Sequence, residues 1–151
     1  MAMLCPRSPY VGEKGYHFFS VARMQEIALA VDSYRRDHKG AAPSRLSELV
    51  PNYLSASKLL FYSRYSTSIV PRNADSHPEL VNIFSPYSFA ILSDQRILVV
   101  EHPDMWPDGL MTYFVFDSKS QPTNSSQVFQ AFEKCRITPE EFENRFSNGF
   151  H

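Results

Sequence analysis

The sequence predicts an α+β domain: an N-terminal amphipathic helix packed on a three- to four-stranded antiparallel sheet, with C-terminal helices. Three observations carry this expectation. Met24, Ile27, Ala28, Val31 and Tyr34 recur at helical spacing and share one face. Between Tyr87 and Phe116, short runs of strand-forming residues alternate with turn-rich segments. Thr138-Pro139-Glu140-Glu141 is a helix-start signature near the C-terminus.

The first helix is expected within the stretch Ser20 to Pro43, ending at Gly40. Ser20 is a candidate N-cap; alternatively the helix starts a turn earlier and Phe18 and Phe19 join its apolar face. Gly40 suits the C-terminal cap, Pro43 lies just beyond, and His38 and Lys39 place positive charge in the last turn. Residues 1–16 contain two Pro, two Gly and no period, and read as a flexible lead-in to a single domain over 17–151. After Gly40, Leu46, Leu49 and Val50 give a short helix its apolar face, closed by Pro51. Lys58 to Tyr62 is an apolar run rich in strand formers, and 63–79, punctuated by Pro71 and Pro78, reads as a long exposed loop.

In the back half, Tyr87, Phe89 and Ile91 alternate with Ser88, Ala90 and Leu92. Asp94-Gln95 supplies a tight turn, and Arg96 to Glu101 is the second strand of an antiparallel hairpin. His102 to Gly109 is a turn-rich excursion, and Leu110 to Phe116 is a third strand with central-strand composition. A polar linker, Ser118 to Ser126, follows. Val128, Phe129, Phe132 and Cys135 then mark a helix over 127–136. In the last helix Thr138 is the N-cap, Pro139 is N1, Glu141 is N3, Phe142 and Phe146 share a face, and Gly149 closes the element.

With 151 residues, 43% hydrophobic and 21% charged, the chain has globular proportions and needs no metal or disulfide to build a core. A net charge of −1, from 15 basic and 16 acidic residues, leaves no electrostatic footprint for nucleic acid. No apolar segment approaches the ~18 residues of a membrane span, and no signal-peptide pattern opens the chain. It reads as a soluble polypeptide, or a soluble piece of a longer one. Cys5 and Cys135 show no metal spacing, and nothing in their contexts argues that they pair.

Ala22, Gln25, Ile27, Ala30, Val31, Tyr34, Asp37, Gly40 and Pro43 stand in the order A-x-x-Q-x-I-x-x-A-V-x-x-Y-x-x-D-x-x-G-x-x-P. This resembles the post-membrane part of the N-terminal helix of type II secretion pseudopilins and type IV pilin-like proteins. Pro43 to Leu54 continues the likeness. Ile97 to Asp117 is similar, more weakly, to a strand–turn–strand element of some pilin-like proteins. The resemblance implies a structural, non-enzymatic assembly protein of the cell envelope, on its periplasmic or surface side. Its partners would be other pilin-like subunits, and it would touch the membrane only through an apolar N-terminal helix missing from this chain. The alternative is a stand-alone envelope or secreted binding module on the same scaffold. The family's Asp-rich calcium loop is not recognisable, so no cofactor is expected.

His102, Asp104 and Asp108, with Glu101 beside them, are the densest set of candidate metal ligands, for calcium through oxygens or zinc through His102. A Pro- and Asp-stabilised turn covered by Trp106 explains the same residues, and the set lacks regular calcium-loop spacing. Cys135 with one of His17, His38, His77, His102 or His151 would be the nucleophile–base option. No signature joins them, and Cys135 falls on an apolar helical face. Arg35 and Arg36 read as a solvated helix face or a subunit contact, and with Trp106 they are the candidate interaction residues. Asn124-Ser125-Ser126 fits a glycosylation sequon by pattern alone.

Overall fold

The computed structural model describes residues 11–60, 73–103, 108–118 and 136–147, with side chains from Ser20 onward. The order is α1 (Val11–Asp37), a 3-10 turn (Leu46–Leu49), α2 (Ala56–Leu59), a second 3-10 turn (Ala74–Ser76), α3 (Glu79–Phe84), β1 (Tyr87–Ile91), β2 (Ile97–Glu101), β3 (Met111–Phe116), β4 (Arg136–Ile137) and α4 (Pro139–Phe146). The strands form one antiparallel meander in the order β1-β2-β3-β4. The α+β architecture is therefore as the sequence predicts.

Helix α1 lies on one face of the sheet. Val21, Met24, Ile27, Ala28 and Val31 are buried and form one cluster with Ile97, Val99, Phe114 and Phe116. These four strand residues occupy alternate positions, as the two-residue pleat requires. The opposite phase of the sheet, Leu98, Val100, Tyr113 and Ile137, builds a second cluster covered by Phe142 and Phe146 of α4. Strand β2 is thus buried along its whole length. The sheet is the middle layer between two helices, which is why β2 reads as an unbroken apolar run.

Helix α1 begins at Val11, so it takes in the last residues of the expected lead-in; residues 1–10 lie outside the described residues. It closes through two left-handed residues, Lys39 (φ 56°) and Gly40 (φ 91°), and the Gly40 N–H reaches back to the Arg35 carbonyl at 2.7 Å. Only glycine takes this conformation without a Cβ penalty, so Gly40 is cheap here and Lys39 is not. The Glu48 carboxylate then accepts from the Ser44 and Arg45 N–H groups and starts the first 3-10 turn.

Three expectations need correcting. Lys58-Leu59-Leu60 is not extended: Lys58 and Leu59 close the helical turn α2, with Leu59 and Leu60 buried against α1's core face. The Ala56 N–H is held by the Asp75 carboxylate at 2.6 Å, and the Leu59 carbonyl by the Ser85 hydroxyl at 2.6 Å, so tertiary bonds override the strand propensity. The described part of the 63–79 loop is not open chain, because it holds the second 3-10 turn with Ala74 buried and the start of α3. Arg136 is not the end of a helix but part of β4, paired with Thr112. The rest of the helix expected over 127–136, and Gly149, lie outside the described residues. Among the described residues no helix is long and apolar enough to cross a membrane.

Candidate functional site

The strand register puts four polar or amphipathic side chains in one row. Tyr87 faces Glu101, Glu101 faces Thr112, and Thr112 faces Arg136. Directly paired residues share a face, so the whole row lies on the α1 side of the sheet, at the end away from the β1–β2 turn. Tyr87, Glu101 and Thr112 are all buried. The Ser20 hydroxyl of α1, also buried, meets the Tyr87 hydroxyl at 3.3 Å. Burial, and then the Glu101 charge, push the Tyr87 phenol far above its ordinary range; the Ser20 bond and Arg23 oppose that shift. Arg136 also pairs with Asp108, whose other oxygen accepts from the Leu110 N–H at 3.0 Å.

At the other end of α1, Tyr34, Asp37, His38 and Tyr53 form a clasp in which Asp37 and His38 are exposed and the two tyrosines are half-buried against the core. The His38 ring stacks on Tyr34 with centroids 3.8 Å apart, and its Nδ1 lies 2.8 Å from the Tyr34 carbonyl. Tyr53 donates its hydroxyl to Asp37 at 2.8 Å and tilts against Tyr34. That hydrogen bond to a carboxylate raises the Tyr53 pKa. The clasp fixes where the chain turns after α1, because Tyr53 belongs to the segment that follows the first 3-10 turn.

Arg35 and Arg36 behave differently. Arg36 is 69% exposed and pairs with Asp32 at 3.1 Å. Arg35 is only 16% exposed: it donates to the Gln95 carbonyl at 3.1 Å in the β1–β2 turn and also reaches Asp32 at 3.5 Å. The solvated face expected for the pair therefore holds for Arg36, while Arg35 ties α1 to the hairpin. Beside it lies a cleft of about 530 Å³ whose lining includes Arg35, Asp94, Arg96 and Asp117. Arg96 is taken by Asp94 at 2.6 Å, so the cleft carries paired charges rather than a net field.

The candidate metal set is not assembled by the described residues. Glu101 points into the α1 face, whereas its neighbour His102 is exposed and takes the opposite phase. Asp108 is engaged with Arg136. Among the described residues no three His, Cys, Asp or Glu side chains gather around a common point. Asp104, Trp106, Cys5, Cys135, His151, the His17 side chain and the Asn124 sequon lie outside the described residues.

Sequence reasoning missed the buried row as a unit. It took Ser20 as a cap and Glu101 as a metal candidate. A signal was present: on strands whose inward positions are otherwise apolar, Glu101 and Thr112 fall in the inward phase, where a polar residue needs a partner. Compared with known proteins, the chain matches no family model, no curated protein and no solved structure significantly.

Proposed function

We propose that this chain is a structural, non-catalytic domain of the pilin or pseudopilin kind, working by assembly in a secretion or pilus system of the cell envelope. The observation that supports this reading is the disproportion between α1 and its sheet. Helix α1 has 27 residues, about 40 Å at the usual rise, while the strands it covers have five or six. Ser20 already meets the far row of the sheet at Tyr87, and Arg35 meets the near turn at Gln95. The segment from Val11 to Phe19, about 13 Å of helix, comes before that span. A helix longer than the sheet it braces suits an element whose other end packs against equivalent helices. The Tyr34–Asp37–Tyr53 clasp gives the motif positions of the resemblance a structural purpose, since it anchors the helix end to the following segment.

The test is photocrosslinking in cells that make the natural full-length protein, with the reactive group at Glu13 or Arg36. The assembly reading expects products with small helix–sheet subunits, or with a second copy, in the envelope fraction. Recovery outside that fraction, with no such product, overturns it. The binding-module reading rests on Ile83 and Phe84, which are 70% and 57% exposed on α3. It expects a product from position 83 and none from positions 13 or 36.

A further inference from the structure

Among the described residues, strand β1 is an outer edge of the sheet. Its bonding phase follows from the hairpin. The Leu92 N–H donates to the Arg96 carbonyl at 2.9 Å, and the His102 N–H to the Pro86 carbonyl at 2.8 Å. In an antiparallel ladder the bonded pairs alternate, so Ser88 and Ala90 are the β1 residues that bond to β2, opposite Val100 and Leu98. Tyr87, Phe89 and Ile91 turn their N–H and C=O groups outward. The Tyr87 N–H is occupied by the Ser85 hydroxyl at 3.2 Å. Phe89 and Ile91 give theirs to no other described residue.

Such an edge is normally blunted by charge, proline or a bulge. None of these occurs in Tyr87-Ser88-Phe89-Ala90-Ile91-Leu92, and the ladder with β2 runs without interruption from Tyr87 to Ile91. We propose that β1 is a docking edge for the β1 strand of a second copy of this chain, paired antiparallel about a two-fold axis at Phe89. The segment is self-complementary in that register. Phe89 faces its own equivalent, Tyr87 faces Ile91, and the small residues Ser88 and Ala90 face each other. The nearest flanking charges, Asp94 and Arg96, lie in the turn beyond the paired residues and neutralise each other at 2.6 Å. The same register brings the turn of one copy to the end of α3 in the other, where Ile83 and Phe84 are exposed. The inference goes beyond the assembly reading and stands without it, since it needs only the described edge.

Sedimentation equilibrium of the full chain tests it, with residue-resolved amide exchange as a second measurement. The chain is expected to dimerise reversibly. Exchange at Phe89 and Ile91 should slow as concentration rises, while that at Ser88 and Ala90, already bonded to β2, should not change. The double variants Ser88→Lys/Ala90→Lys and Ser88→Glu/Ala90→Glu each set like charges opposite one another and should weaken self-association by about tenfold. An equimolar mixture of the two should restore it. A chain that stays monomeric, a dimer indifferent to these charges, or concentration-independent exchange at Phe89 and Ile91 overturns the proposal. If the variants do not fold, the amide exchange of the unaltered chain decides it.

Discussion

Ser20 on α1 and Tyr87 at the head of β1 meet hydroxyl to hydroxyl at 3.3 Å, across 67 residues of sequence, and both are buried. A buried polar pair of this kind costs more to break than it gains when made. It therefore specifies where along the sheet the helix sits, in a way that the surrounding aliphatic contacts, which tolerate sliding, do not.

Tyr87→Phe should lower stability by about 1–2 kcal/mol at neutral pH, because the Ser20 hydroxyl is left buried without its partner. The pH dependence gives a sharper test. Burial and the Glu101 charge raise the folded phenol above its ordinary value, so the folded chain holds the proton longer than the unfolded one. That contribution is complete below about pH 10 and is lost as pH rises beyond it. Urea melts at about pH 8 and about pH 11 should show a steeper loss for the natural chain than for Tyr87→Phe. Equal slopes would sink the assignment.

Ile27 and Ile83 make a matched pair. Ile27 is fully buried between α1 and the sheet, while Ile83 is largely exposed. Ile27→Ala should cost about 2–5 kcal/mol through lost contacts and a cavity. Ile83→Ser should stay within about 0.5 kcal/mol. Chemical denaturation of dilute samples checks both, and a large loss at Ile83 would mean that α3 covers more of the core than its exposure indicates.

The last helix depends on its cap. The Thr138 hydroxyl accepts from the Glu141 N–H at 3.2 Å, and Phe142 and Phe146, 4.9 Å apart, pack on Tyr113. Thr138→Ala should lower stability by about 1 kcal/mol, and Thr138→Ser should recover most of it. Thermal melts of the three proteins would show whether α4 folds with the sheet: a separate early transition in Thr138→Ala would mean that it does not.

Two side chains sit in left-handed backbone, Lys39 after α1 and Gln95 in the β1–β2 turn (φ 72°). Glycine removes the Cβ penalty but loosens the unfolded chain, so Lys39→Gly and Gln95→Gly should each stabilise by about 0.5–1 kcal/mol. In Gln95→Gly the carbonyl that accepts from Arg35 is retained. Destabilisation at position 95 would show that its side chain matters to the turn.

What the sequence determined by itself was local. The 3.6-residue spacing from Met24 to Tyr34 marks the face of α1 that is buried, and the Thr138-Pro139-Glu140-Glu141 signature places the start of α4 to the residue. The turn at Asp94-Gln95 and the three main strands were equally legible, because turn chemistry and period-two patterning act within a few residues. Three features came from the tertiary structure alone. Lys58 and Leu59 became helical because Asp75 and Ser85 hold the ends of that turn. Arg136 became a strand residue because Thr112 was there to pair with it. Glu101 left the candidate metal set for a buried row with Tyr87 and Thr112 because register, which couples residues distant in sequence, turns it toward α1. Periodicity says which side of an element is apolar; only packing decides which polar residues that side must carry inward and what they meet.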